Sequence, residues 1–266
     1  MKNWKLHAIV LALIIGSEAI GLIQFKVGPG MVVLLPMLYA LLAGILLTPK
    51  FFNVVKEKDM NDASGLITVT LLLLMARYGT LVGPTLPKII AAGPALILQE
   101  LGNLGTIMLG VPVAVWLGLK RETIGAAHSI ARESNVALIG DVYGLDGPEG
   151  RGVMGVYICG TVFGTIFFAL MASFCAVLLP LHPLALAMAC GVGSASMTTA
   201  SAGVLATMFP DMKDQILAMA AASNMLTGLD GLYISLWVAL PFTEWLYKTL
   251  YRIRHGVVAP GREVKG

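Results

Sequence analysis

The stretch from Gly191 to Pro210 reads GVGSASMTTASAGVLATMFP, and it decides how the rest of the chain is interpreted. A helix of roughly 20 apolar residues crosses the hydrocarbon core of a bilayer, so the stretch has about the length of a membrane span. It nevertheless contains glycines together with the hydroxyl side chains of Ser194, Ser196, Thr198, Thr199, Ser201 and Thr207. Neither a simple apolar anchor nor a soluble loop has this composition. The stretch therefore predicts a membrane segment with a chemical role.

The composition of the whole chain supports this interpretation. The chain has 266 residues, of which 57% are hydrophobic and 12% are charged. Soluble domains typically contain about 25% charged residues, so this chain has too few charges to solvate a globular surface. Its hydrophobic residues come in long runs, without the strict alternation that is typical of membrane β-strands. The composition predicts an all-α, polytopic transmembrane protein with about eight or nine membrane segments.

The charges and the cysteines limit the partners that we expect. The net charge is +3, and basic residues are concentrated near the chain ends, including the tail 251–266. Cations beside membrane spans are typical of the cytoplasmic side, so they indicate topology and contact with the lipid bilayer, not nucleic-acid binding. Cys159, Cys175 and Cys190 lie in apolar runs without a CxxC or Cys/His spacing. We therefore expect neither a transition-metal site nor a disulfide framework.

The N-terminus has the features of a secretory signal peptide. It combines a basic start, an apolar run and a possible cleavage site at Ser17-x-Ala19. The apolar pattern resumes after Glu18 and continues to Phe25, which favours an uncleaved first span over removal of residues 1–19.

Four regions follow from the pattern of apolar runs. Residues 1–64 contain two N-terminal spans and a polar loop, 65–151 and 152–250 form two repeats, and 251–266 form the basic tail. The candidate spans are 6–24, 31–48, 66–83, 153–179, 213–229 and 231–249, with a polar helix-like segment at 122–138.

The two repeats are predicted from segments that match without gaps. ELGNLGTIMLGVP at 100–112 aligns with TTASAGVLATMFP at 198–210, and at the same offset Gly93 falls on Gly191. Both matches lie in apolar segments rich in Pro and Gly, 87–118 and 183–209, which we expect to be broken helices. Each repeat then continues into a segment that ends in Ser-Asn. We expect the two repeats to be inverted relative to each other.

Broken helices in a membrane have a restricted meaning. An unpaired backbone N–H or C=O group costs several kcal/mol in hydrocarbon, so irregular backbone is found only inside protein or beside water. Interrupted spans in corresponding positions of two halves are the best sequence indication of a transporter binding site. The N-terminal ends of half-helices attract anions, and freed carbonyl and hydroxyl oxygens can bind a cation.

We predict the binding residues from these segments. The first segment contributes polar side chains in an apolar run, the second contributes glycine and hydroxyl groups, and the Ser-Asn pairs recur after both. The predicted substrate- and ion-binding residues are Gln99, Glu100, Asn103, Gly193, Ser194, Ser196, Thr198, Thr199, Ser201, Asn135, Ser223 and Asn224. Arg132 is a further candidate, because a guanidinium can hold a substrate carboxylate in a bidentate manner.

Each of these predictions has an alternative. Small residues and hydroxyl groups also mediate close packing between membrane helices. Glu100 can bind a cation or carry a proton, or it can lie at a membrane interface between short spans. The segment that contains Arg132 can equally form a solvated amphipathic helix on the membrane surface.

Two motifs resemble a known family. RETIGAAHSIARESNVALIGDVYGLDGPEGRGVMGVY from 121 and GSASMTTASAGVLATMFPD from 193 are similar to an uncharacterised bacterial family of integral membrane proteins, named only as a domain of unknown function. Its wider architecture resembles the sodium/glutamate symporters, the lysine exporters and the LrgB-type membrane proteins. The resemblance implies inverted repeats, broken helices, a bacterial cytoplasmic membrane location and movement of a core domain against the scaffold of a homodimer.

The function that we expect is ion-coupled secondary transport of a small organic anion or amino acid by alternating access. No cofactor is expected apart from Na⁺ or H⁺ as the coupling ion. The alternative is a channel-like or holin-like protein of the LrgB type without coupled transport. We do not expect an enzyme, because the sequence contains neither HExxH nor GxSxG.

Overall fold

A computed structural model of the chain describes residues 3–27, 30–128, 130–257 and 259. Most of these residues are helical, which confirms the predicted all-α class. The helices are α1 (Trp4–Ile20), α2 (Pro36–Leu46), α3 (Glu57–Ala91), α4 (Gly93–Trp116), α5 (Glu122–Ala127), α6 (Arg132–Tyr143), α7 (Pro148–Cys159), α8 (Thr165–Leu178), α9 (Pro183–Cys190), α10 (Ala195–Met208), α11 (Lys213–Ile234) and α12 (Leu240–His255).

Two pairs of helices continue into each other through short π-helical segments. Gly160–Gly164 joins α7 to α8, and Ser235–Ala239 joins α11 to α12. Together with a 3₁₀ turn at Pro210–Met212, α11 and α12 form one continuous helix, Pro210–His255. Each π segment changes the rotational register of the helix on either side of it.

A β-hairpin between α1 and α2 is an addition to the expected fold. Strands β1 (Ile23–Val27) and β2 (Gly30–Leu34) pair in antiparallel orientation. The hairpin takes up residues that we expected in the helical spans 6–24 and 31–48. The sequence Val-Gly-Pro-Gly at 27–30 explains the difference, because Gly and Pro favour turns and disfavour helix interiors.

The first predicted broken segment, 87–118, is interrupted at Ala92. From Gly93, α4 continues as one helix through 99–105 to Trp116. A single glycine in a helix costs only about 1 kcal/mol relative to alanine. The polar side chains of α4 form hydrogen bonds with side chains of α11, as described below. The backbone of α4 therefore does not need to unwind around them.

The polar segment 122–138 is not a solvated surface helix in this fold. It forms α5 and α6, and the described residues between these two helices, 128, 130 and 131, are not helical. The α5 residues Thr123, Ile124 and Ala127 are buried. The surface-lying alternative for this segment is therefore wrong.

Two buried clusters of apolar side chains lie on either side of the central part of α4. One contains Ile107 and Val111 of α4 and joins this helix to α5, α6, α7 and α12. The other contains Leu96 of α4 and joins it to α8, α9, α10 and α11. Residues 99–103, which carry the polar side chains of α4, lie between these two clusters.

Two described helices are long and apolar enough to cross a membrane. They are Gly93–Trp116 and Pro210–His255, and only 28% of the most apolar window of each is buried. A core helix of a soluble protein would be mostly buried, so these helices support membrane association.

Glycines allow α5 and α7 to pack backbone against backbone. A Cβ atom added to Gly125 would lie 1.8 Å from the carbonyl oxygen of Glu149, and one added to Gly152 would lie 2.1 Å from that of Glu122. Both distances are far below van der Waals contact, so only glycine fits at these two positions.

We predict that Gly152→Ala will lower the thermal unfolding midpoint of the purified protein. The added methyl group forces α5 and α7 apart, and such overpacking typically costs about 1–3 kcal/mol. Gly155→Ala on the same helix is the matched control, because a Cβ atom there meets nothing within 4 Å. Equal unfolding midpoints for the two variants would contradict the described contact.

Candidate functional site

Helix α11 carries the residues that organise the candidate site. It begins with Asp214 in its first turn, where an acidic side chain interacts favourably with the helix dipole. Ser223, Thr227 and Asp230 follow at spacings of four and three residues, so they share one face of the helix. This face meets α4 and the junction between α9 and α10.

Asn224 holds the interruption between α9 and α10. Its Nδ2 atom donates to the carbonyl oxygens of Gly191 at 3.0 Å and of Gly193 at 2.8 Å. It also lies 3.2 Å from Oγ1 of Thr198, in the first turn of α10. A broken helix leaves backbone carbonyl groups without intrahelical partners, and this one side chain supplies donors to two of them.

The interruption lies directly against α11. A Cβ atom on Gly191 would be 2.2 Å from Oγ of Ser223, so the contact requires glycine. Oγ of Ser223 is 2.8 Å from both the Met188 carbonyl oxygen and Oε1 of Gln99, and its single hydrogen can donate to one of them. Ser223 thereby connects the interrupted helix to α4.

Glu100 is the buried carboxylate of the site. It is 7% exposed and accepts hydrogen bonds from three neutral donors. Oε1 accepts from Gln99 at 2.9 Å and from Thr227 at 2.7 Å, and Oε2 accepts from Nδ2 of Asn103 at 2.5 Å. Among the side chains that the structure describes, no Lys, Arg or His forms an ion pair with Glu100.

Two buried oxygen atoms beside Glu100 have no hydrogen-bond partner. They are Oδ1 of Asn103, a residue that is 1% exposed, and Oδ1 of Asp230. Asp230 is not among the site residues predicted from the sequence. Its spacing of three residues from Thr227 and seven from Ser223 is the signal that could have identified it.

The hydroxyl groups of α10 divide into two sets. Thr199 donates to the Ala195 carbonyl at 2.7 Å, and Ser201 donates to that of Met197 at 2.7 Å. Such bonds to the preceding turn satisfy a hydroxyl group within its own helix, so they fit the packing alternative for these two residues. Ser194 and Ser196, whose Oγ atoms are 3.0 Å apart, lie instead at the interruption.

Asn135 lies apart from this cluster. Its Oδ1 atom accepts a hydrogen bond from Ser235 at 3.0 Å, two turns beyond Thr227 along the same continuous helix. At this level α11 also contacts the break between α5 and α6. A Cβ atom on Gly231 would be 2.6 Å from Cβ of Ala131, which lies in that break. The side chain of Arg132 lies outside the part of the chain that the structure describes.

The interruption after α9 has a counterpart at the matching position of the first half. At the offset that places Gly93 on Gly191, α9 falls on 85–92 and α10 falls on 97–110 of α4, so the break between α3 and α4 at Ala92 lies opposite the end of α9. A further break separates α5 from α6, and its described residues are 128, 130 and 131. This break and the one at 191–194 both contact α11.

A separate charged cluster connects α5, α6, α7 and α12. Arg121 forms ion pairs with Glu149 and, at 2.9 Å, with Glu244, which also accepts a hydrogen bond from Tyr143 at 2.9 Å. Arg121 and Glu149 are each 3% exposed. The partners are up to 123 residues apart in sequence, so no local sequence pattern indicates this cluster.

The chemistry available at the candidate site is that of oxygen ligands and amide donors. In the described ranges, no group of three or more His, Cys, Asp or Glu side chains could hold a metal ion. The carboxylate, amide and hydroxyl oxygens of α4 and α11 suit a hard cation, and the amide and backbone N–H groups suit an anion.

Comparison with known proteins identifies the family of the chain but does not assign a function. No curated protein and no solved structure matches the chain. The resemblance to sodium/glutamate symporters, lysine exporters and LrgB-type proteins therefore stays a prediction. Residues 15–249 match the family described as "Protein of unknown function (DUF3100)", which covers most of the chain. The chain belongs to the DUF3100 family.

Proposed function

We propose that the protein is an ion-coupled secondary transporter of a small organic anion or amino acid, and that it works by alternating access. The observation that carries the proposal is the contact between the α9–α10 interruption and the buried polar residues of α4. Asn224 and Ser223 of α11 make this contact, and Gln99 and Glu100 complete it.

The distribution of side chains on α4 supports a location in the membrane. Its polar residues Glu100 and Asn103 are buried, while its exposed face is apolar. A surface helix of a soluble protein has the opposite arrangement. The exposed apolar residues of α4 are Ile97, Leu98, Leu101, Met108, Leu109, Val113 and Trp116. This face fits lipid chains.

The location that we propose is the bacterial cytoplasmic membrane, with about eight or nine membrane segments. The two long apolar helices supply the first of these segments, and the shorter apolar helices Pro36–Leu46 and Thr165–Leu178 add to them. A homodimer in the lipid bilayer is part of the same proposal.

The interruption at 191–194 supports transport over a structural role. Membrane proteins tolerate irregular backbone at depth where it lines a cavity or contacts other protein. Here a single side chain, Asn224, holds the freed carbonyl groups, so these carbonyls can exchange partners when the helices move. Interrupted helices of this kind form the substrate and ion sites of secondary transporters.

The start of α10 is the place that we propose for an anionic substrate group. The first backbone N–H groups of a helix have no intrahelical acceptors and carry the positive end of the helix dipole. Ser194 and Ser196 add two hydroxyl groups at this end. A carboxylate of an amino acid or organic acid satisfies both kinds of donor.

We predict that the protein will remain in the membrane pellet after alkaline carbonate extraction. Membrane-spanning helices are not released by high pH, whereas proteins held at the surface by charge are. A known peripheral protein in the same membranes is the control. Release of the full chain into the supernatant would contradict the proposed spanning topology.

We predict that Thr198→Val will reduce substrate counterflow in proteoliposomes by about tenfold, because the substitution removes the hydroxyl group that lies beside Nδ2 of Asn224 at the interruption. Thr207→Val is the matched control on the same helix, since Thr207 donates to the Gly203 carbonyl within α10. Asn103→Leu should also abolish transport while the protein still reaches the membrane. The substrate is first selected by thermal-shift screening.

The assay has two results that would contradict the proposal. Full counterflow in both Thr198→Val and Asn103→Leu would exclude the proposed site. Ligand flux through the wild-type protein without counterflow would instead support the channel-like alternative, because counterflow requires a carrier that binds substrate on both sides.

A further inference from the structure

The direction of α4 relative to α11 and α12 is fixed by contacts at both ends. Gln99 contacts Ser223 on α11. Farther along α4, the carbonyl of Val115 accepts a hydrogen bond from Arg254 on α12. From the first contact to the second, the residue numbers increase along both helices. Helix α4 therefore runs parallel to the continuous helix Pro210–His255.

This direction places Asn103 and Asp230 at one level. Glu100 pairs with Thr227, and each of the two helices carries another polar residue three positions farther on. Three residues advance a helix by about 4.5 Å. Asn103 and Asp230 therefore lie at the same height beside Glu100, and the charge of Glu100 acts on Asp230.

Glu100 retains one open position for a ligand. A carboxylate has about four lone-pair positions, and three of them already accept hydrogen bonds. Two of these bonds are on Oε1 and one is on Oε2. The open position is therefore on Oε2, the oxygen that is next to the amide group of Asn103.

The two unpartnered oxygen atoms, Oδ1 of Asn103 and Oδ1 of Asp230, also favour a bound ligand. A buried amide or carboxylate oxygen without a partner destabilises the folded protein. Oδ1 of Asn103 belongs to the amide whose nitrogen donates to Glu100, so it lies beside that carboxylate. Oδ1 of Asp230 is the third oxygen. A cation between them would satisfy all three atoms.

The charges at the site also favour a bound cation. Glu100 and Asp230 bring two carboxylates together, and no described Lys, Arg or His side chain pairs with either of them. Intramembrane carboxylates are expensive unless they are paired or bind an ion.

We propose, on the basis of the proposed transport function, that the coupling ion is Na⁺, bound by Oε2 of Glu100, Oδ1 of Asn103 and Oδ1 of Asp230. Hard cations prefer carboxylate and amide oxygens, and water or backbone oxygens complete the coordination. Binding of Na⁺ joins α4 to α11, the helix that holds the α9–α10 interruption. Occupancy of the cation site thereby stabilises the geometry at the start of α10, where the substrate binds.

The test measures Na⁺ binding without transport. The full-length protein in detergent is titrated with NaCl, with choline chloride keeping the ionic strength constant, and its thermal unfolding midpoint is followed. Binding to the native state raises the midpoint in a saturable manner. We expect this rise in the wild-type protein and an affinity at least about tenfold weaker in Asp230→Asn, Glu100→Gln and Asn103→Leu.

Asp214→Asn is the matched control. Asp214 is an exposed acid on the same helix, and its loss should leave Na⁺ affinity unchanged. If one site variant fails to fold, the other two still test the assignment. Absence of a Na⁺-specific rise in the wild-type protein would overturn the proposal, and so would an unchanged Na⁺ affinity in the folded site variants.

Failure of this proposal and failure of the proposed transport function give different results. Substrate counterflow that depends on pH and not on Na⁺ would remove the Na⁺ site and leave a transporter. Saturable Na⁺ binding that the three variants weaken, in a protein without counterflow, would support the cation site and contradict the transport function.

Discussion

The hydrogen bonds of Asn224 to the Gly191 and Gly193 carbonyls are the interaction on which the proposed site depends. An interrupted helix in an apolar protein has carbonyl groups that hydrocarbon cannot satisfy. One amide on α11 satisfies two of them, and this fixes the position of α9 and α10 against α11. Gly191 is required for the same contact, because any larger residue would collide with Ser223. The site is therefore built by satisfying backbone groups and not by apolar packing alone.

The continuous helix Pro210–His255 extends this arrangement over the length of the molecule. At one end it contacts the α9–α10 interruption and the buried carboxylate of Glu100. In the middle, Gly231 contacts Ala131, which lies between α5 and α6, and the π segment Ser235–Ala239 follows. At the other end Glu244 joins the cluster around Arg121. The π segment at 235–239 lies between these two polar regions, and such segments are frequent at functional positions.

A substantial part of this arrangement could be predicted from the sequence. The low charge and the long apolar runs predict the helical class, and polar residues inside apolar runs are expensive enough to indicate a site. Gln99 contacts Ser223, and Glu100 contacts Thr227 on the same helix. The glycines around 191–194 predict the interruption, because they permit a change of direction and a close approach of backbones.

The remainder depends on tertiary contacts that no local pattern contains. Whether α4 unwinds at its polar residues depends on whether α11 provides hydrogen-bond partners for them. The local sequence of α4 does not contain those partners. The same holds for Arg121, whose partner Glu244 is 123 residues away, and for Asp230, whose role follows only from the parallel direction of two helices. Strands 23–27 and 30–34 lie where the apolar pattern predicted helical spans. The Gly-Pro-Gly sequence at 28–30 favours a turn, but the hydrophobic pattern alone does not distinguish these strands from helix.

The central claim is that the interruption and the carboxylate cluster form one ion-coupled binding site. The most direct test is a thermal-shift screen of the purified wild-type protein against amino acids and small carboxylates, each with Na⁺ and with choline. The account predicts that at least one ligand raises the unfolding midpoint and that Na⁺ enhances this effect, because binding at linked sites is reciprocal. A folded protein that shows no ligand-specific shift across the panel would contradict it.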